Sequence, residues 1–361
     1  MSAAGTSTTP SPLSVSPSDG IATASPPSVT VDAHGAEGAA LRKMASAPTR
    51  PQRRRVVVRV PATSANMGPG FDCLGMAVDI WNEVSVARAD TFSLNVSGID
   101  VEHIPSEIHP KTGESKHVLV NALRRAFEYA GESPMPPVSI ICRNNIPICS
   151  GFGSSSAVIV GGLVAGLVLA GKEVGVRVGK GHVNEELLQL ANEIEGHADN
   201  VAPAIYGGIQ LCNGLVDGGP QKVMSQRIPC PDGVRLVVYV PGPDARLKSG
   251  NDKTAYMRSL LTPKVSRADA VFNIQRAALL IDSLHRGDLS LLGIACDDRL
   301  HQPIRGEKAF PHLNPMIDAA KGAGAHGCFL SGAGPTIMAI CSGAHGDVSD
   351  ARSPFARLCS P

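Results

Sequence analysis

Apolar positions recur along this chain in two rhythms. Short runs of branched apolar residues at 56–60, 81–86, 92–96, 138–142 and 208–212 predict β-strands. Between them, apolar residues return every three or four positions at 118–129 and 185–195, which predicts amphipathic helices; in the second, Leu187, Leu188, Leu190, Ala191 and Ile194 share one face. Residues 157–170 are apolar on every side, so a buried core helix is predicted there, with Gly161, Gly162 and Gly166 letting a sheet or a second helix approach closely. That run is too short to cross a membrane. A Gly/Pro-rich link at 214–220 predicts a lobe boundary. Beyond it, strands are predicted at 234–240, 328–330 and 336–341, and helices at 253–261, 267–284, near 289–300 and at 314–323. Helix and strand mixed in two sequential blocks predict a two-lobe α+β protein, with lobes at 55–214 and 225–361. Residues 1–50 are rich in Ser, Pro, Thr and Ala and lack periodicity, which predicts a disordered extension.

Composition narrows the function classes. The 361 residues carry a formal net charge of +1, so no electrostatic footprint for nucleic acid is expected, and Arg53-Arg54-Arg55 reads as a solvated lead-in. A single Trp offers no stacking platform. The 9 cysteines form no C-x-x-C pair, and Cys142, Cys212, Cys328 and Cys341 lie in apolar runs. Buried free thiols in a reducing compartment fit that pattern better than disulfides or zinc. A cytoplasmic location is expected. A plastid is the alternative, because the tail is Ser-rich and acid-poor; its first basic residue, Arg42, comes too late for a mitochondrial presequence, and Met44 is an alternative start.

The chemistry concentrates in Pro147-Ile148-Cys149-Ser150-Gly151-Phe152-Gly153-Ser154-Ser155-Ser156-Ala157, between a predicted strand and the apolar helix. The first N–H groups of a helix lack internal partners and sit at the positive end of its dipole, glycines admit a phosphate to the backbone, and serine hydroxyls cap the helix or ligate a hard cation. No lysine follows the glycines, so this is not the usual P-loop. A dinucleotide fingerprint also fails, since the third glycine is missing.

Two more segments accompany this loop: Pro61-Ala62-Thr63-Ser64-Ala65-Asn66-Met67-Gly68-Pro69-Gly70-Phe71-Asp72-Cys73-Leu74-Gly75, and Gly327-Cys328-Phe329-Leu330-Ser331-Gly332-Ala333-Gly334-Pro335-Thr336. In this order the three resemble the motif set of the GHMP kinases, over roughly residues 55–341. The segments Glu195-Gly196-His197-Ala198-Asp199-Asn200-Val201-Ala202-Pro203-Ala204, Val265 through Asn273, and Asp298-Arg299-Leu300-His301-Gln302-Pro303-Ile304-Arg305 are similar to the homoserine kinases of that family. The resemblance implies a ribosomal protein S5 domain 2-like, ATP-binding N-terminal lobe and a ferredoxin-like C-terminal lobe. It also implies transfer of the ATP γ-phosphoryl group to the hydroxyl of L-homoserine, on the route to threonine. Pro147, Ser150, Gly151, Phe152, Gly153, Ser154, Ser155 and Ser156 are then expected to hold ATP. Glu195, with Ser154 or Ser155, is expected to hold Mg2+, Glu193 being the alternative. By the same resemblance Arg258 and Arg305 take the substrate carboxylate, Asn66 and Asp72 its ammonium, and Asn200 the reacting hydroxyl, with His197 and Thr254 nearby. Asn200 and Glu195 are the expected catalytic residues.

Homoserine kinases are thought to need no general base; Asp199 beside Asn200 is the one motif carboxylate to weigh for that role. Two departures stand out. Lys116-His117-Val118 occupies a helix start where the family often has Asn, which leaves an adenine-side contact without its usual residue, and residues 342–361 are short and polar where homologues continue through a helix and a strand. Another GHMP kinase or an inactive paralogue is the competing reading. Neither nucleic acid nor membrane is expected as a partner, and a homodimer is left open.

Overall fold

The computed structural model describes residues 28–31, 53–174, 185–215, 222–246 and 253–343. Most of the expected disordered extension, residues 216–220 of the expected link, and residues 344–361 lie outside them. The first sheet contains β1 (Ser28–Val31), β2 (Arg55–Ala65), β3 (Leu74–Arg88), β4 (Ser93–Gly98), β5 (Val138–Asn144), β6 (Ile209–Leu215) and β7 (Lys222–Ile228). Its order is β1-β2-β3-β5-β4, and β6, flanked by β7, pairs with the opening residues of β3. Only β4 and β5 run parallel. β3 is long enough to pair with β6 at Leu74–Met76 and with β5 at Glu83–Arg88, and a register shift at Pro61/Ala62 bends β2 along it. Past that shift residues 62–65 stay paired with 75–78 of β3, and the Thr63 N–H reaches Phe152 O of the phosphate-type loop.

Four helices go with this sheet: α1 (Val118–Tyr129), α2 (Ser154–Leu169), α3 (Glu185–Glu195) and α4 (Ala198–Tyr206). α2 is buried almost throughout, as its all-round apolar sequence predicts. Gly161 meets Val84 and Val60 of the sheet, and Gly162 and Gly166 meet Leu119, Ala122 and Ala126 of α1. His117 caps α1, its Nδ1 accepting from Leu119 N–H at 3.1 Å. Burial lowers its pKa to about 4, so it stays neutral in this capping role.

The second sheet is antiparallel, in the order β8 (Val234–Tyr239), β10 (Ile337–Ser342), β9 (Gly327–Leu330). Around it lie α5 (Pro243–Arg246), α6 (Lys253–Ser259), α7 (Arg267–Arg286), α8 (Leu292–Ala295), α9 (Gln302–Lys308) and α10 (Leu313–Gly322). One continuous apolar core runs from the first sheet into this lobe through Val234, Leu280, Leu284 and Phe329.

Three predictions need correction. Ser28–Val31, within the stretch expected to lack structure, pairs antiparallel with residues 56–59 of β2 and covers an edge that would otherwise be open. β7 pairs with β6 in the first sheet, so that sheet extends past the expected break at 214–220. The helix expected near 289–300 ends at Ala295. There the buried Asp298 carboxylate accepts the N–H groups of Leu300, His301 and Gln302, which turns the chain and starts α9.

Candidate active site

The phosphate-type loop leaves β5, and Gly153 in the left-handed region (φ 63°) starts α2 at Ser154, three residues earlier than the apolar pattern predicts. Only glycine fits there, because a Cβ would overlap Thr63 Oγ1 and crowd Asn200 Oδ1. The loop carbonyls are tied down one after another. Ile148 O accepts from Arg246 Nη1 (2.7 Å) and Cys149 O from Lys253 Nζ (2.7 Å). Ser150 O accepts from Thr336 N (3.1 Å), Gly151 O from Ser331 Oγ (2.8 Å) and Phe152 O from Thr63 N (3.0 Å). A turn at 148–149 directs Ser150 N–H back toward Pro147 O, and the N–H groups of Cys149, Gly151 and Gly153 have no partner among the described residues. They adjoin the first turn of α2, whose amides are unpaired by helix geometry. Carbonyls committed outward and amides left over make a cradle for an anion.

Within this loop the expected residues divide their work. Ser150 Oγ donates to Pro147 O at 2.7 Å and accepts from Phe152 N, and the Phe152 side chain is buried in the core. These three shape the loop, and Phe152 has no free polar group to offer a ligand. Glu195, at the end of α3, accepts from Ser156 Oγ (2.7 Å) and Ser155 Oγ (3.3 Å). Ser156 is thus nearer to Glu195 than either expected serine, and Ser154 makes no such bond. The alternative, Glu193, points to the opposite surface and pairs with Arg125 of α1 at 3.0 Å. Burial raises the Glu195 pKa, only partly offset by the serine hydroxyls and His197. One carboxylate beside two hydroxyls is a hard-oxygen set that fits Mg2+ completed by phosphate oxygens.

Asn200, in the first turn of α4, accepts from Thr63 Oγ1 at 2.8 Å, which sets it beside Gly153. Its neighbour Asp199 is buried and engaged by His197 Nδ1 at 2.8 Å. Burial opposes protonation of His197, but the Asp199 and Glu195 carboxylates together outweigh it and raise the His197 pKa.

The polar pocket lies on the other side of the first motif. Asn66 (φ 72°) donates through Nδ2 to Gly332 O at 2.9 Å and accepts from Asp72 N through Oδ1 at 3.1 Å. Arg258 of α6 makes a two-pronged pair with Asp72, Nη1 to Oδ2 at 2.8 Å and Nη2 to Oδ1 at 2.6 Å. The expected carboxylate binder and ammonium binder therefore face each other directly. Arg305, in α9, is 2% exposed and yet makes no ion pair among the described residues. Its Nη1 donates to Gly332 O (3.0 Å) and His301 Nδ1 (3.2 Å), and its Nε is buried without a partner. Burial, with Arg258 nearby, lowers its pKa to about 10, still charged at neutral pH. Phe71 links the two guanidinium groups, whose carbons lie 5.4 Å (Arg258) and 5.5 Å (Arg305) from its ring centre. Thr254 sits exposed on α6, between Lys253 and Arg258, and its side chain makes no hydrogen bond among the described residues.

Comparison with known proteins decides the family. The GHMP kinases N terminal domain profile matches residues 117–208, and the GHMP kinases C terminal profile matches residues 280–351. A homoserine kinase of Desulfitobacterium hafniense is 40% identical over 288 residues, 80% of this chain and 87% of its own length. The chain belongs to the homoserine kinases of the GHMP kinase family. A crystal structure of homoserine kinase from Cytophaga hutchinsonii, 27% identical, covers 87% of this chain and 92% of its own at a TM-score of 0.67. The L. major mevalonate kinase, 16% identical, covers 83% of this chain and 90% of its own at a TM-score of 0.56, a likeness of fold alone.

Several groups that shape the loop carry no sequence signal of their own. Thr63 lies in the first motif but looks like any strand threonine. Arg246 and Lys253 look like solvated helix-end cations, although both are buried at the loop. Arg246 also pairs with Asp100, at 2.8 Å and 3.0 Å, and donates to Pro241 O. His301 reads as one letter of a motif. In the fold its ring fixes Arg305: a guanidinium only donates, so Nδ1 accepts, and Nε2–H donates to Gly68 O at 2.8 Å. Burial lowers the His301 pKa against the pull of Asp298 and keeps this tautomer neutral.

Proposed function

We propose that this kinase phosphorylates the side-chain hydroxyl of L-homoserine with ATP, giving O-phospho-L-homoserine, as the names of its curated relatives indicate for them. The observation that carries the reading is Arg305, a buried guanidinium with an unpartnered Nε and no ion pair among the described residues, on which Asp72, Asp298 and Asp199 act only at longer range. A buried charge of this kind calls for an anion of fitting shape, and an α-carboxylate matches a guanidinium fork. Asp72 and Arg258 supply the complementary signs for a zwitterion: ammonium to Asp72 and Asn66, carboxylate to Arg305 and Arg258. The substrate exchanges its own two charges for the Arg258–Asp72 pair, so no charge is stranded.

The loop amides of Cys149, Gly151, Gly153 and Ser154 hold the phosphates of ATP, and Asn200, fixed by Thr63 beside Gly153, orients the acceptor hydroxyl toward them. Glu195 with Ser155 and Ser156 would hold Mg2+, which when bound neutralises charge on the transferred phosphoryl group. Asp199 is turned to His197, which supports a reaction without a protein general base. No helix among the described residues is long and apolar enough to cross a membrane, and the relatives are bacterial, which supports a cytoplasmic enzyme. A coupled ADP-release assay across L-homoserine, L-threonine and mevalonate tests the assignment. Homoserine is expected to be turned over far faster than the others, and faster turnover of mevalonate overturns it.

A further inference from the structure

The phosphate loop has no lysine of its own, yet one reaches it from the second lobe. Lys253 is 5% exposed, opens α6, and donates to Cys149 O at 2.7 Å and Arg246 O at 3.3 Å, with the Phe310 ring 5.5 Å from its Nζ. No carboxylate pairs with it among the described residues: the nearby Asp100 is taken by Arg246. Together, Asp100, Arg246 and Lys253 leave one positive charge in excess, buried at the shoulder of an anion cradle. A buried cation held by carbonyls alone is expensive unless an anion comes near it.

What Lys253 holds is a specific peptide group. Cys149 sits in the left-handed region (φ 52°), an uncommon conformation for a side-chain-bearing residue. The C=O and N–H of one peptide point in opposite directions. Drawing Cys149 O toward Lys253 therefore turns Ser150 N–H the other way, into the turn at 148–149 and toward Pro147 O, and fixes that turn beside the unpaired Cys149 and Gly151 amides. Lys253 also stands at the start of the helix that carries Arg258, whose guanidinium is two-pronged on Asp72 in the amino-acid pocket. One short helix thus touches the phosphate loop at one end and the amino-acid pocket at the other.

We propose that Lys253 is a positioning residue: it holds the Cys149–Ser150 peptide, and with it the turn that presents the Cys149 and Gly151 amides to the nucleotide phosphates, and through α6 it makes nucleotide affinity depend on whether the amino-acid pocket is filled. This rests on the reading of the loop as the ATP site and of the Arg258–Asp72 pocket as the homoserine site. When homoserine engages Arg258, α6 is fixed at its C-terminal end, and the Lys253 end, with its grip on Cys149 O, is fixed with it. By linkage the effect is reciprocal, so bound nucleotide tightens homoserine by the same factor.

The test is calorimetric titration of Mg-ADP into the full-length protein, with and without saturating L-homoserine, for the wild type, Lys253→Met and Lys253→Arg. The wild type is expected to bind Mg-ADP several-fold more tightly when homoserine is present. Lys253→Met is expected to bind Mg-ADP about tenfold more weakly, to keep its homoserine affinity in the absence of nucleotide, and to show a ratio near one between the two conditions. Lys253→Arg keeps a cation and should restore part of the ratio. A structural role alone would lower thermal stability and weaken both ligands without changing the ratio, and that result overturns the proposal. So does a wild type with no ratio to lose, or a Met variant with wild-type nucleotide affinity. If the wild type binds no Mg-ADP at all, the assignment of the loop fails instead, which is a separate result.

Discussion

Single side chains carry the specificity of this site, and two of them make sharp tests. Arg305 is buried with an unpartnered Nε, so Arg305→Leu removes a charge that no ion pair among the described residues engages. The substitution is expected to raise the homoserine KM, with a loss of roughly 2–5 kcal/mol in substrate binding, and to leave the ATP KM unchanged. Wild-type enzyme should reject 3-aminopropanol, which lacks the carboxylate, and the variant should reject it much less. If the full preference survives, Arg258 holds the carboxylate alone. Glu195→Gln keeps the hydrogen bonds to Ser155 and Ser156 within reach but removes the anionic ligand. It is expected to lower kcat by on the order of 10² or more with little effect on unfolding; unchanged kcat at saturating magnesium would put the ion elsewhere. Lys253 gives a pH test. Arg246 and Cys149 are the titratable groups against it, Asp100 is paired with Arg246, and burial lowers its pKa to about 8. Its folded pKa lies below the unfolded value of about 10.4, so the fold binds fewer protons between them and gains stability as pH rises through that window. Nucleotide binding moves the other way, weakening above pH 8 as the ammonium is lost. Both trends are read as differences from Lys253→Met, and parallel pH profiles for the two proteins would show that Lys253 does not titrate there.

At the level of elements, the loop and α2 act as one rigid part. Gly153 is where the loop becomes helix, and Thr63 and Asn200 are packed against its missing Cβ. Gly153→Ala forces a left-handed alanine, at about 1–2 kcal/mol, and drives a methyl group into Thr63 Oγ1. Displacement of the cradle is expected to lower kcat/KM for ATP by on the order of 10²-fold. Thr63→Ala in the same chain clears the overlapping oxygen and should recover part of the loss, measured in the same ATP titration. A Gly153→Ala enzyme with wild-type kcat/KM would mean that the helix start is not set by this contact.

For the molecule as a whole, the lobes are joined by polar contacts at the site as much as by the shared core. Asp100 follows β4 in the first lobe, Arg246 ends α5 in the second, and their side chains are 7% and 5% exposed. The Arg246 hydrogen bond, more than any other influence, holds the Asp100 pKa down. This pair therefore stabilises the fold above the ordinary carboxylate range, and the contribution is lost as pH falls through the lowered Asp100 pKa. Arg246→Leu leaves Asp100 buried without a counter-ion and is expected to cost about 3–5 kcal/mol in urea unfolding. Adding Asp100→Asn should return much of it. A loss below about 1 kcal/mol would show that water reaches Asp100 once the arginine is gone.

Local chemistry made the helices and the phosphate loop readable from the chain. α1 begins and ends, and α3 ends, where their apolar spacing says, because burying one face is a property of the segment itself. The loop announced itself through its glycines and serines, and the order of the three motifs pointed to the family. β7 was not readable, since its polar sequence becomes a strand only by pairing with β6. The turn of the chain at Asp298 was hidden for a related reason: a carboxylate that collects three amides competes with helix in a way apolar spacing does not register. Glu195 and Glu193 are equivalent on paper, and only packing turns one to Ser156 and the other to Arg125. Lys253 meets the loop from 104 residues away, and Arg258 meets Asp72 from 186. Periodicity and capping act within a few residues, so the chain alone says what each segment becomes. Which cation reaches which carbonyl depends on two lobes closing over a common core, and that is a property of the folded whole.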